Sequence, residues 1–308
     1  MKSKFIKCLL IGCLMVVFSN ASAFDKNKLK IENSGAYINN FNMDELQEFY
    51  DTLEFPDYLT KKINVYPRVF VKNIPSDYAL ISDKTIRNET FIKILMPIIL
   101  KVNQEYEEER ENLLAIKHGF NTEKDFHELD CYYIDKLAKK YEISTPFKDT
   151  RKYMRLLNEL ILRVDIIPAS ILISTAAIYT DWGTSRIAVQ ANNLFKAKNW
   201  YSEEGLKPES DDTSYRYKIY DSLEDSVRDY ILKVNKHVNY RSFWYARQIA
   251  RNKQIYSKEP LYGKRIDWSF VLENNLKNYA GLLDYTLTYY RMAFLDEALL
   301  DEEYEFSN

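Results

Sequence analysis

Residues 167–195 have the sequence IPASILISTAAIYTDWGTSRIAVQANNLF, and this stretch decides the fold. Pro168 suits the first turn of a helix, because the backbone N–H that proline lacks would have no intrahelical partner there. The next fourteen residues are apolar or small on nearly every face, and Asp181 is the one charged residue among them. A helix of that composition must be buried on most sides. Trp182 and Gly183 are predicted to end it, since glycine suits a left-handed cap.

Polar residues follow this helix at once. Thr184, Ser185 and Arg186 come first, and two adjacent asparagines precede Leu194 and Phe195. A buried helix that brings an aromatic side chain, a glycine turn and two amides to one place is typical of the floor of a binding cleft.

The same stretch resembles the bacterial glucosaminidase family, the peptidoglycan-cleaving β-N-acetylglucosaminidases. The pattern of the Bax-type branch is roughly A-x-x-E-S-x-W-G-T-S-R-x-A-x-x-x-N-N-L-F-G. Matches at the same spacing are Trp182 to Arg186, Ala188 and Asn192 to Phe195. The resemblance implies a mainly α (α+β) fold, namely a lysozyme-like helical domain with a short β or irregular lobe at about residues 200–220.

Weaker similarities lie outside this core. Upstream, Pro97, Asn103 and Arg110 loosely match the proline, asparagine and arginine that precede the catalytic region in Bax-type proteins. Downstream, residues 217–222 resemble the F-R-x-Y-x-S segment of the family. The resemblance therefore extends on both sides of the central stretch.

The family's catalytic glutamate stands three residues before the tryptophan, where this chain has Tyr179. Glycoside hydrolysis usually needs two carboxyl groups, one of them protonated to help the leaving oxygen depart. A phenol, with a pKa of about 10, is a weak proton donor for that step. Another acid is therefore required if the chain is a hydrolase.

Asp181, Glu203 and Glu204 are the candidate catalytic acids. Asp181 lies two residues beyond Tyr179, about 200° around a continuous helix, and would face away unless the helix has already ended. The two glutamates fall where the family's mobile lobe supplies its second carboxylate. A solvated or capping role is the alternative for each of the three.

The predicted cleft is lined by aromatic, hydroxyl and amide side chains: Tyr179, Trp182, Ser185, Asn192, Asn193, Phe195, Trp200, Tyr217, Tyr220 and Tyr240. Their rings can stack on sugars. Because aromatic residues make up 15% of the chain, core packing is the alternative for each ring. Turn formation is the alternative for the two asparagines.

Two functions remain open at this point. One is an exported peptidoglycan β-N-acetylglucosaminidase that uses an acid other than residue 179. The other is a catalytically inactive glycan-binding or scaffolding protein. Peptidoglycan, or a related glycan that contains N-acetylglucosamine, is the expected partner of both, and no cofactor is expected. The three histidines form no H-E-x-x-H or cysteine-paired set, so no metal site is expected either.

The first 23 residues predict a secretory signal peptide. Lys2, Lys4 and Lys7 precede an apolar run, and Ala21-Ser22-Ala23 suits cleavage before Phe24. The apolar run is too short to span a bilayer, so no transmembrane segment is expected. A lipoprotein box at residues 10–13, with lipid on Cys13, is the alternative.

Charge and cysteine content favour a periplasmic location. Removal of residues 1–23 takes away three lysines and no acid, so the formal net charge falls from −2 to −5. An acidic exported chain has no electrostatic reason to bind nucleic acid. Cys131 alone would remain, and one thiol forms no internal disulfide.

The predicted domains are the signal peptide at 1–23, an N-terminal extension at 24–82, and a glucosaminidase-like domain at 83–308 with a helical lead-in and C-terminal helices.

Overall fold

The structure, a computed structural model, describes residues 28–32, 34–51, 53, 55–56, 64–123, 125–146, 150–210, 213–257 and 279–301. The predicted signal peptide, its cleavage before Phe24 and the alternative lipid site at Cys13 lie outside these residues. Helix accounts for 61% of the structure, and the strands are few and short. The mainly α (α+β) class is therefore confirmed, while the likeness to lysozyme stays a prediction.

The helices of the described residues are α1 (Met43–Asp51), α2 (Lys84–Glu123), α3 (Glu128–Lys140), α4 (Thr150–Arg163), α5 (Ala169–Thr180), α6 (Arg186–Ala191), α7 (Leu223–Lys236), α8 (Arg241–Ser257) and α9 (Tyr279–Tyr289). The strands are β1 (Leu29–Glu32), β2 (Gly35–Ile38), β3 (Val65–Tyr66), β4 (Val69–Val71), β5 (Lys198–Trp200), β6 (Tyr215–Tyr217) and β7 (Leu299–Leu300). Within these ranges, no helix is both long enough and apolar enough to cross a bilayer.

The described residues fall into two compact units, each built from separate segments. The first unit takes those within 1–98, 179–226 and 298–308, and the second takes 99–178 and 227–297. The domain boundaries predicted from sequence stay a prediction.

The first unit contains all of the described strands. β2 pairs antiparallel with β1 and parallel with β4, so these three form one sheet. β3 pairs in parallel with β7, and β5 with β6 as an antiparallel hairpin. The hairpin is the short β lobe that the sequence predicts at about residues 200–220.

The second unit contains a buried ionic cluster centred on Asp165, whose side chain is 3% exposed. Its carboxylate oxygens lie 2.5 Å from Arg251 Nη2, 3.6 Å from Arg110 Nε and 3.7 Å from Arg247 Nε. Burial alone raises the pKa of Asp165, but the positive charges of the three arginines outweigh burial and hold the pKa below its usual value.

Buried side chains of this unit also fix the backbone that leads into α5. Arg110 donates through Nη1 to the carbonyls of Ile161 and Val164, at 2.6 and 3.0 Å. Asn103 donates through Nδ2 to the carbonyl of Ile167 at 2.8 Å. These hydrogen bonds explain physically why an asparagine and an arginine stand upstream of the central stretch: they determine where α5 begins.

Candidate functional site

α5 ends at Thr180, two residues before the predicted end, and the chain then makes a left-handed turn. Asp181, Trp182 and Gly183 all have positive φ, at 49°, 56° and 83°. The hydroxyl of Thr180 accepts a hydrogen bond from the Gly183 N–H, and its carbonyl accepts one from the Ser185 N–H, both at 2.9 Å. Thr180 thus closes the turn with its side chain and its backbone.

Two features require glycine at position 183: the positive φ of the backbone and the lack of room for a Cβ atom. A Cβ atom at this position would lie 2.9 Å from Phe91 and 3.1 Å from Ile74. The half-buried Trp182 contacts the same phenylalanine edge to face, with ring centres 6.0 Å apart. The tryptophan of the motif is therefore oriented by a neighbouring ring, and part of it stays accessible.

Asp181 occupies the turn as an exposed residue. Its Oδ2 accepts a hydrogen bond from the Thr184 hydroxyl at 3.3 Å, and its carbonyl accepts one from the same hydroxyl at 2.8 Å. The angular argument for a continuous helix does not apply, because α5 has ended one residue earlier. The contacts are those of a turn-stabilising aspartate, and its catalytic role stays a prediction.

Ser185 and Arg186 make contacts that stabilise α6 and the lobe after it. Ser185 is the N-cap of α6, and its hydroxyl accepts a weak hydrogen bond from the Ala188 N–H at 3.4 Å. Arg186 donates through Nη2 to the carbonyl of Lys207 at 2.5 Å, and its Nε lies 3.8 Å from Glu209 Oε1. The motif arginine therefore ties α6 to the lobe that contains the hairpin.

The two adjacent asparagines bind backbone. Asn192 caps α6 in the left-handed region, with φ 49°, and donates to the carbonyl of Tyr220 at 3.0 Å. The fully buried Asn193 donates to the carbonyls of Ala197 and Lys218 and accepts from the Ala197 N–H, each at 2.9 Å. These amides join the loop after α6 to the segment that follows β6.

Tyr179 is buried, with 4% of its surface exposed, and Lys196 lies beside it. The ammonium of Lys196 is 5.7 Å from the centre of the Tyr179 ring, within the range of a cation–π interaction. Phe195, another predicted cleft residue, is 2% exposed and belongs to the core.

Lys196 is a residue beside Tyr179 that the sequence argument did not single out. Its φ is 51°, a conformation that glycine adopts without strain. The Bax-type pattern ends in glycine at this position. The replacement of that glycine by lysine was the feature of the sequence that could have drawn attention to residue 196. The pattern's glutamate and its final glycine are thus both replaced here, and the two replacing side chains, Tyr179 and Lys196, lie together.

The β5–β6 hairpin carries the exposed aromatic side chains of the site. Trp200, 56% exposed, has its ring centre 5.3 Å from that of Tyr215, which is 5.4 Å from that of Tyr217. Burial, followed by the hydrogen bond with the Tyr215 hydroxyl, raises the pKa of Tyr217 to about 12. The Tyr217 phenol therefore stays protonated at neutral pH.

The candidate glutamates lie on the surface of the same lobe. Glu203, whose side chain is 95% exposed, accepts a hydrogen bond from Arg216 Nη2 at 2.9 Å. Glu204 is exposed, and its backbone N–H donates to the Ser202 hydroxyl. A depression of about 310 Å³ lies in this lobe, lined by residues that include Glu203 and Tyr215.

The remaining two predicted residues divide between the units. Tyr220, in the first unit, is half-buried, and its N–H donates to the Ala191 carbonyl at 2.9 Å. Tyr240 is buried in the second unit, where the ammonium of Lys233 lies 5.9 Å from its ring centre.

Comparisons with known proteins agree with the motif. Residues 154–276 match the glucosaminidase family model, described as mannosyl-glycoprotein endo-beta-N-acetylglucosaminidase. Protein bax of Escherichia coli (strain K12) is 30% identical over 159 residues, which are 52% of this chain and 54% of that protein. The chain thus spans about half the length of this curated relative. No solved structure gives a significant match.

Proposed function

We propose that this chain, whose resemblance to the Bax-type branch of the glucosaminidase family is confirmed, is an exported peptidoglycan-directed protein that binds the glycan strand without cleaving it. The observation that carries the proposal is the pair formed by Tyr179 and Lys196 at the position of the family's acid. The export step rests on residues 1–23, whose sequence is that of a signal peptide.

The pair opposes the family's chemistry in two ways. A buried phenol donates its proton to a glycosidic oxygen far less readily than a carboxylic acid does. The Lys196 ammonium also places a positive charge beside residue 179, and a nearby positive charge favours the ionised form of any carboxyl group. A general acid must be protonated before it acts, so both replacements reduce acid catalysis at this point.

The surroundings of two other candidate acids support the proposal. Asp181 stabilises a turn through Thr184, and Glu203 is ion-paired with Arg216 on an exposed surface. The acid of a glycosidase instead works in partly buried, semi-apolar surroundings, which keep it protonated near neutral pH.

Features that suit glycan contact are present in the same unit. The turn presents part of the Trp182 ring, and the hairpin presents Trp200 beside Tyr215. Rings exposed in this way offer flat apolar surface to a sugar, and the surrounding polar groups are available to its hydroxyls.

Hydrolysis with a different acid is the second candidate function. It is favoured by the match of residues 154–276 to an endo-β-N-acetylglucosaminidase family model and by three carboxylates in the unit of Tyr179, namely Asp181, Glu203 and Glu204. In that reaction one of these would replace the family's glutamate as the proton donor.

The test combines retention on peptidoglycan with an assay for new reducing ends. The purified chain is expected to sediment with insoluble peptidoglycan and to release no reducing ends above the buffer rate. The double variant Tyr179→Glu/Lys196→Gly is expected to cleave slowly, since a positioned general acid contributes about 10²- to 10⁴-fold. Tyr179→Glu alone is expected to be slower, because the Lys196 ammonium disfavours the protonated acid.

Tyr245→Glu, at an exposed position of the second unit, is the matched control and is expected to behave as wild type. Robust turnover by the unmodified chain would contradict the proposal. Asp181→Asn, Glu203→Gln and Glu204→Gln would then identify the acid, as the substitution that lowers the rate at least about a hundredfold. Failure to sediment with peptidoglycan would contradict glycan binding itself.

A further inference from the structure

One side of the β5–β6 hairpin, here called the hairpin face, consists of Lys198, Trp200, Tyr215 and Tyr217. Lys198 pairs with Tyr217 and Trp200 with Tyr215 in the antiparallel register. Successive residues of a strand point to opposite sides, so these four share one side, and Asn199 and Arg216 occupy the other.

The rings of the hairpin face form a continuous aromatic surface. The Trp200 and Tyr215 rings are inclined by 56°, and the Tyr215 and Tyr217 rings meet edge to face. Aromatic rings carry negative charge on their faces, which attracts the slightly positive C–H groups on one side of a pyranose ring. The exposed Trp200 is where a sugar ring reaches this surface from solvent.

Lys198 places a positive charge against the same rings. Its ammonium lies 3.9 Å from the centre of the Tyr215 ring and 5.2 Å from that of Trp200. No carboxylate in the described part of the chain lies within ion-pair distance of this ammonium. By contrast, the nearby Arg216 and Arg186 face Glu203 and Glu209. Among the described residues, Lys198 is therefore a cation held by aromatic rings and not by a carboxylate.

We propose that the hairpin face binds a sugar that itself carries a free carboxylate, which in peptidoglycan is an N-acetylmuramyl residue whose stem peptide has been removed. The inference rests on the proposed function and names the part of the glycan that this surface selects. The pyranose ring stacks on the exposed Trp200, and the lactyl carboxylate pairs with the Lys198 ammonium that lies over the neighbouring Tyr215 ring.

Distance identifies the lactyl group rather than a more remote acid. An ion pair requires the carboxylate within about 4 Å of the ammonium. The ammonium is itself 5.2 Å from the centre of the Trp200 ring on which the sugar stacks. A carboxylate attached directly to the stacked sugar, as the lactyl group is, satisfies that distance. In an intact strand this carboxyl is the acyl part of the amide to the stem peptide and bears no charge.

The same chemistry gives the chain a place in a reaction sequence. Hydrolysis of the amide between the lactyl group and the first amino acid of the stem adds water, releases the peptide amine and leaves the free carboxylate on the strand. Reactions of that amidase class must supply the proposed ligand. The Tyr217 phenol, whose pKa is about 12, remains a hydrogen-bond donor for the sugar or its carboxylate under these conditions.

The experiment compares three probes on the full chain by equilibrium binding. The first is amidase-treated glycan strands with free lactyl carboxylates, the second is the same strands with those carboxylates converted to neutral methylamides, and the third is a neutral chitin oligosaccharide. Wild type is expected to bind the free-carboxylate strands about fivefold more tightly than the capped strands, as for an exposed ion pair. Added salt is expected to reduce that preference.

Lys198→Gln is expected to abolish the preference for the free carboxylate, so that free and capped strands bind equally, and Lys198→Arg is expected to retain the preference. Lys84→Gln, which removes the same charge at an exposed position outside the hairpin, is the matched control and is expected to keep the wild-type preference. Circular dichroism of each variant verifies folding.

Two results would overturn the inference alone: equal affinity of wild type for free and capped strands, or a preference that survives Lys198→Gln. If wild type binds none of the three probes, the proposed function fails and the inference fails with it. Binding of all three, with preference for the free carboxylate, supports both.

Discussion

Two neighbouring regions of the first unit use polar side chains in opposite ways. In the turn and loop from Thr180 to Ala197, here called the clip, polar side chains such as those of Thr180 and Asn193 bind backbone groups. Thr180 and Asn193 are fully buried there and hydrogen-bonded. In the lobe from Lys198 to Tyr217, polar side chains face solvent and pair with one another, as Arg216 does with Glu203.

The difference shows what the motif match reports. Most of the residues that carry the resemblance, such as Gly183 and Asn193, fix the backbone of the clip. The exposed Trp200 and its neighbour Lys198 lie in the lobe, beyond the residues that the central pattern covers. The motif match therefore reports on the backbone of the clip and not on the side chains of the lobe.

The largest effect is expected when the clip is broken at Asn193. Asn193→Ala removes three hydrogen bonds, and it deprives the Lys218 carbonyl and the Ala197 N–H of this partner. The Ala197 carbonyl keeps a hydrogen bond from the Lys218 N–H at 2.9 Å. Each buried polar group left unsatisfied costs about 1–3 kcal/mol, so the free energy of unfolding is expected to fall by about 3 kcal/mol or more. Urea unfolding followed by circular dichroism measures the change.

Asn239→Ala is the matched control, because Asn239 is exposed. It is expected to alter the free energy of unfolding by no more than about 0.5 kcal/mol. Equal unfolding curves for the Asn193 and Asn239 variants would show that the clip does not hold the loop, and the comparison between the two regions would fail.

A smaller loss is expected at the turn that opens the clip. Gly183→Ala forces a residue with a Cβ into φ 83° and brings that Cβ to 2.9 Å from Phe91. Backbone strain of this kind costs about 1–3 kcal/mol, and thermal unfolding is expected to occur at a correspondingly lower temperature.

Gly119→Ala provides a control of opposite sign. Gly119 lies in α2, and nothing lies within 4 Å of a Cβ built there. Alanine is the better helix former, so this variant is expected to gain up to about 1 kcal/mol. A Gly183 variant as stable as the Gly119 variant would refute the requirement for glycine at the turn.

The sequence predicted a buried central helix because helix burial follows from composition. The stretch from Ala169 to Thr180 is apolar or small on every face, and such a helix has few alternatives to a core. The sequence also predicted the turn at Gly183, since glycine suits a left-handed cap. The end of the helix was two residues off, because the cap is made by the Thr180 hydroxyl, a contact that the apolar pattern does not contain.

The site was less accessible to sequence reasoning. Phe195 and Tyr240 are buried, and nothing in their local pattern separates a core aromatic from one that lines a cleft. The pairing of Lys196 with Tyr179 depends on chain folding over sixteen intervening positions. Lys198 was not singled out, because its position against Trp200 and Tyr215 depends on strand register, which requires coordinates.

The smallest effect is expected in the lobe, where the same operation that damages the clip should be harmless. Glu203→Gln removes the ion pair with Arg216, yet both water and the remaining amide oxygen can satisfy the guanidinium. Exposed ion pairs contribute about 0–1 kcal/mol, and a glutamate that is 95% exposed lies at the low end of that range. The free energy of unfolding is therefore expected to stay within about 0.5 kcal/mol of wild type at moderate ionic strength.

Peptidoglycan sedimentation by this variant is also expected to be unchanged, since Glu203 is not part of the hairpin face. A loss of stability close to that of Asn193→Ala would mean that the lobe is held by its charges, and the division between a buried clip and a solvent-facing lobe would have to be abandoned.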